Sequence, residues 1–137
     1  MNKILSQAEP GRVLHVILDA AASIEGRIDL STPNEPLQVS TIAIAPGKKV
    51  NPHIHNPRSQ EGATGAPITQ ECWIVLRGKI EVSLFDLDRK PLHQQSLTQG
   101  SMLVTFYGGH SLEGAAEGAV IVECKNGPYL GRDYTVF

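Results

Sequence analysis

The sequence predicts an all-β protein, a sandwich or barrel built from short strands. Three observations point there. Apolar residues come in short runs, several of those runs are rich in Val, Ile and Thr, and 13 Gly and 9 Pro punctuate the 137 residues between them. There is no internal repeat, heptad pattern or low-complexity tract. A chain of this length is expected to form one domain and to bury roughly two-thirds of its unfolded surface. Its parts are N-terminal strands over 1–45, a central region over 46–123 and a tail over 126–137.

Taken in order, Val13–Leu18 reads as a strand, although Asp19 to Ser23, rich in Ala and followed by Gly26, reads equally as a short helix. Ser31 to Pro36 is a turn cluster, and Leu37 to Ala45 is a strand of Val, Ile and Thr ended by Pro46-Gly47. Asn56 to Thr69 holds Pro57, Gly62, Gly65 and Pro67 and little apolar content, which predicts a long loop; loops of that length are usually lids or binding loops. Glu71 to Arg77 is a continuous apolar run, Gly78-Lys79 reads as a turn, and Ile80, Val82 and Leu84 alternate with polar residues, so a hairpin is expected. Leu92–Leu97 and Ser101–Tyr107 are further strands, separated at Gln99-Gly100. Glu117-Gly118 reads as a turn before the strand Ala119–Cys124, and Tyr134, Val136 and Phe137 are expected to dock the tail on the body.

Charge excludes several partners. Twelve Lys and Arg face 14 Asp and Glu, a net charge of −2, with no basic half or run, so the electrostatic footprint of a nucleic-acid binder is missing. The stretch Val13–Ile24 is broken by His15, Asp19 and Ser23. It therefore reads as neither a signal peptide nor a membrane span, which needs about 18 consecutive apolar residues. A cytoplasmic protein is expected. Cys72 and Cys124 lack the spacing of a zinc or redox motif and read as free thiols.

The residues that could carry chemistry are histidines and one glutamate. His53 and His55 flank Ile54, and on a strand such a pair shares one face; Pro52 favours that extended reading. Two imidazoles on one strand face form a chelating pair that needs further ligands from neighbouring strands. Glu71 is a candidate, because a carboxylate opening an apolar strand is costly to bury without a partner. His110, behind Gly108-Gly109, is another, and Glu61 competes with Glu71 for the carboxylate role.

These spacings resemble the cupin superfamily. Gly47, five residues, His53-Ile54-His55, a gap, Glu71, six residues and Gly78 are similar to the first cupin motif. Gly100, five residues, Phe106-Tyr107-Gly108 and His110 are similar to the second. The gap before Glu71 is longer than in the motif, Phe106 stands where the motif has proline, and His110 comes one residue early. The resemblance implies a single cupin-type antiparallel β-barrel, a double-stranded β-helix or jelly roll. It implies that His53, His55, Glu71 and His110 bind one divalent transition metal, Fe, Mn, Ni, Co, Cu or Zn, with positions left for water or substrate.

Trp73 shares the face of Glu71 and is a candidate to line a substrate pocket, as is Tyr107 through its hydroxyl. Arg58 sits in the polar loop and is expected to be solvated, while His15 and His93 match no motif. The expected function is that of a metal-dependent enzyme acting on a small molecule in the barrel, a dioxygenase or an isomerase or lyase, with its catalytic acid or base unassigned. The alternatives are a non-catalytic small-ligand-binding cupin and a metal-independent sugar-modifying cupin. Open β-edges and the resemblance imply a homodimer, with neither nucleic acid nor membrane as partner.

Overall fold

The computed structural model describes residues 1–19, 22–58 and 68–137, which form ten β-strands and no helix. They are β1 (Asn2–Leu5), β2 (Val13–Ile17), β3 (Arg27–Asp29), β4 (Leu37–Ile44), β5 (Lys49–His55), β6 (Glu71–Phe85), β7 (Pro91–Thr98), β8 (Met102–Thr105), β9 (Gly109–Asn126) and β10 (Tyr134–Val136). Every ladder is antiparallel. The alternative of a short helix over Asp19–Ser23 falls partly outside the described residues, since Ala20 and Ala21 are not among them.

Two long strands organise the molecule. The first half of β6 pairs with β8 and with the second half of β9, which in turn pairs with β4, and β4 pairs with β3. The second half of β6 pairs with β7 and with the first half of β9, which pairs with β5, and β5 pairs with β10. The result is two five-stranded halves that share β6 and β9. Their inner faces meet in one core, in which Ile44, Trp73, Val75 and Ile121 of one half pack with Ile80, Val82, Leu97 and Leu112 of the other. Burying each such side chain contributes about 1.5–3 kcal/mol.

The expected hairpin at Gly78-Lys79 and the expected turn at Glu117-Gly118 are both absent. β6 and β9 run straight through these points as one strand each, with register shifts between Val75 and Arg77 and between Gly78 and Ile80. Glycine is needed for this bend. Gly78 has φ +74° and Gly118 has φ +68°, and a β-carbon on Gly78 would stand 2.1 Å from the Gly118 carbonyl oxygen. The glycines that read as turn signals are the bulges that let one strand serve two sheet halves.

The tail docks as expected. β10 adds to β5 with Tyr134 opposite His55 and Val136 opposite His53, and the Phe137 ring meets Phe85 edge-on at 5.2 Å. β1 and β2 form a separate two-stranded sheet. Among the described residues, no helix is long and apolar enough to cross a membrane.

Candidate metal centre

The alternation of β5 buries His53 and His55 and leaves Ile54 between them less covered, as a strand demands of residues two apart. His110 stands opposite His53 in the β5–β9 ladder and is 0% exposed. Glu71 opens β6, whose inner face is Glu71, Trp73 and Val75, all buried. One half of the fold thus supplies three imidazoles and the other the carboxylate. Each of the four side chains offers a ligand atom, and these atoms all lie within 4.8 Å of one another.

Hydrogen bonding prepares two of the rings. His53 Nδ1–H donates to the Asn51 carbonyl at 2.8 Å, and His55 Nδ1–H donates to Asp133 Oδ1 at 3.2 Å, so in both the Nε2 lone pair faces away from its holder. His55 Nε2 lies 3.3 Å from Glu71 Oε1, and His110 Nε2 lies 3.2 Å from Glu71 Oε2. Neither contact has hydrogen-bond alignment, and His55 Nε2, His110 Nε2 and His110 Nδ1 are buried without a hydrogen-bond partner. Buried polar atoms are almost always paired, and leaving one unpaired costs about 1–3 kcal/mol. Two of these nitrogens, His55 Nε2 and His110 Nε2, lie beside the Glu71 carboxylate and fit a divalent transition-metal ion, for which neutral imidazole and carboxylate are suitable donors.

The electrostatics agree. Burial opposes ionisation of Glu71, but the adjacent His110 and His55 outweigh it and hold the carboxyl well below the usual range. Burial lowers His53 below its ordinary value and so favours its neutral form. Burial also disfavours charge on His55, but Glu71 and Asp133 together raise it above its ordinary value.

Several site residues escape the sequence reading. Asp133, from the tail, accepts from His55, from the Thr69 hydroxyl and from Arg58 Nε, and these contacts overcome its burial to lower its carboxyl. Arg58 is not solvated. Its side chain is 8% exposed and also donates to the Asn126 and Gly127 carbonyls, at 2.8 and 3.1 Å, and to Thr69. An isolated bridge between Pro57 and Ile68 joins the two ends of the long loop, and Arg58 and Thr69 tie them to Asp133 and Gly127. The body of that loop, with the competing Glu61 and the proposed lid, lies outside the described residues. Tyr134 packs on His53 at 4.7 Å. Glu123 and Lys125 were the legible signal that went unread, because they alternate with Ile121 on the inner face of an otherwise apolar strand.

His53, His55 and Glu71 line a cavity of about 670 Å³, while His110 is fully buried and does not line it. Trp73 lines it, with its ring edge-on to His110 at 4.9 Å, in keeping with its expected position. Tyr107 does not reach it: it is 58% exposed at the connection between β8 and β9. His93 is exposed on β7 and His15 lies on β2, both away from the cluster. Cys72 and Cys124 are free thiols, placed opposite each other across the β6–β9 ladder.

Solved structures share this backbone. KdgF from Halomonas sp. superposes with a TM-score of 0.55 at 16% identity over 73% of this chain and 76% of that one. Oxalate decarboxylase from Bacillus subtilis gives 0.59 at 15% identity over 76% of this chain, which spans only 24% of that larger protein. An oxalate oxidase in complex with glycolate gives 0.55 at 22% identity over 74% of this chain and 46% of that one. No family model matches the sequence, and no curated protein does.

Proposed function

The chain has the cupin fold, and from that premise we propose that it is a metal-dependent enzyme acting on a small molecule in the cavity, of the dioxygenase or the isomerase or lyase kind. The carrying observation is the convergence of His53, His55, Glu71 and His110 within 4.8 Å, the first three on the wall of a cavity large enough for a metabolite. In this reading the two bent halves close around the site as the cupin barrel, and the four residues hold one divalent ion. Such an ion, with an open position, polarises a carbonyl or enolate or, if redox-active, supports oxygenation.

The chain's own residues do the rest. Asp133 and the Asn51 carbonyl fix the tautomers of His55 and His53. Burial of all four ligands keeps bulk water from competing for them, and Trp73 and Tyr134 shape the apolar walls beside the rings. Exposed apolar residues on β1 and β2, including Ile4, Leu5, Leu14 and Ile17, support a homodimer, which light scattering would detect.

The test is elemental analysis of purified protein beside His53→Ala, Glu71→Ala, Glu61→Ala and His110→Ala. We expect about one transition-metal ion per chain, lost in every variant except Glu61→Ala. Absence of metal after reconstitution would contradict the proposal and leave a ligand-binding or metal-free sugar-modifying cupin.

A further inference from the structure

A second set of charges lines the same cavity, and one member of it has no hydrogen-bonding work. Glu123 and Lys125 follow Ile121 on the inner face of β9, and Lys125 stands opposite Glu71 in the β6–β9 ladder. Arg27, on β3, donates to Asp29 at 2.7 Å, to the Ser40 hydroxyl at 2.7 Å and to Glu123 at 2.9 Å. Its Nε and Nη2 are occupied. The Lys125 ammonium, by contrast, lies 3.6 Å from Glu123 and 3.8 Å from Glu71, which is ion-pair range but beyond a hydrogen bond. Its side chain is 18% exposed, so it reaches the cavity while largely enclosed, with the ammonium 5.8 Å from the centre of the Tyr129 ring.

Charge balance says what Lys125 is available for. The cavity is lined by four carboxylates, Asp29, Glu71, Glu123 and Asp133, and four cations, Arg27, Lys48, Lys125 and Arg132. A divalent ion bound at Glu71 would turn that even balance into two net positive charges. A partly buried positive surplus is costly unless an anion joins it, and the open ammonium beside the metal ligand is the donor that would receive one.

We propose that Lys125 is the specificity-determining residue of the cavity: it selects a small carboxylate substrate by donating hydrogen bonds to its anionic group beside Glu71. The proposal rests on the metal-site reading above and adds the substrate class to it. A merely structural Lys125, present only to neutralise Glu71 and Glu123, would affect charged and neutral ligands alike.

The two roles separate by titrating the metal-loaded protein calorimetrically with lactate and with lactamide, which match in shape and differ in charge. Wild type should bind lactate about tenfold or more tightly than lactamide, as a charge-assisted hydrogen bond predicts. Lys125→Met should keep its metal by elemental analysis, lose that preference and bind lactamide unchanged, and Lys125→Arg should recover part of it. Equal affinity of wild type for the two ligands would overturn the proposal without any variant. So would a metal-loaded Lys125→Met that still prefers lactate, or one that loses both ligands equally. A wild type that takes up no metal removes the metal site and this proposal together, whereas metal uptake without preference removes this proposal alone.

Discussion

Two polar clusters share one cavity, and they differ in whether their atoms are satisfied. Around Arg27, donors and acceptors meet at 2.7 to 2.9 Å, with Ser40 bridging to Asp29 and Glu123 closing the set. Around Glu71, two imidazole nitrogens, His55 Nε2 and His110 Nε2, are buried without a hydrogen-bond partner. Burial is comparable, since Glu123 is 8% and Glu71 6% exposed, so depth does not distinguish the clusters. The first cluster satisfies its members with protein atoms, whereas the second leaves ligand atoms that a bound ion would satisfy.

The comparison breaks most visibly by deleting one member of each cluster. His110→Ala should abolish measurable metal uptake, whereas Arg27→Met should leave the metal in place and cost about 1–3 kcal/mol of stability by stranding Glu123, as elemental analysis and denaturant melts of both variants would show. Equal metal loss in the two would erase the distinction. Chelation comes next in size. Removing the metal should lower the melting temperature of the wild type, by the equivalent of about 4 kcal/mol if free metal stands at 1,000 times its dissociation constant, and should leave Glu71→Ala unmoved.

Asp133 sharpens the comparison further, because it belongs to neither cluster yet holds His55. Asp133→Asn should weaken metal binding about 10- to 100-fold, the usual cost of losing the carboxylate behind a histidine ligand, as competition with a coloured chelator would report. The smallest effect is on pH. Metal needs neutral imidazole, and Glu71 and Asp133, against the opposing effect of burial, raise His55 above its ordinary value. Metal affinity should therefore begin to fall on acidification from above the usual histidine range. In Asp133→Asn, with one of the two raising carboxylates gone, the fall should begin at lower pH.

Much of the site was legible in the sequence because it obeys local rules. His53 and His55 share a face through the two-residue period of a strand, and Glu71 with Gly78 keeps a spacing set within one strand. What was not legible depends on contacts that no local pattern encodes. Asp133 reaches His55 across 78 residues, and Arg58 is buried only because the tail folds over it. Gly78 and Gly118 misled for a related reason. A glycine at positive φ serves a turn or a bulge equally, and the choice is made by the close approach of the two strands at those residues. Tyr107 was misplaced because its neighbour His110 turns inward only after the chain has passed Gly108 and Gly109.

The central claim is that the four side chains around Glu71 are the ligands of one ion. A crystal of the metal-loaded protein, measured at the absorption edge of its metal, tests it most directly. One anomalous peak is expected about 2.0–2.3 Å from Nε2 of His53, His55 and His110 and from a Glu71 oxygen. A peak held by other residues, or a metal-loaded protein with none at this cluster, would contradict it.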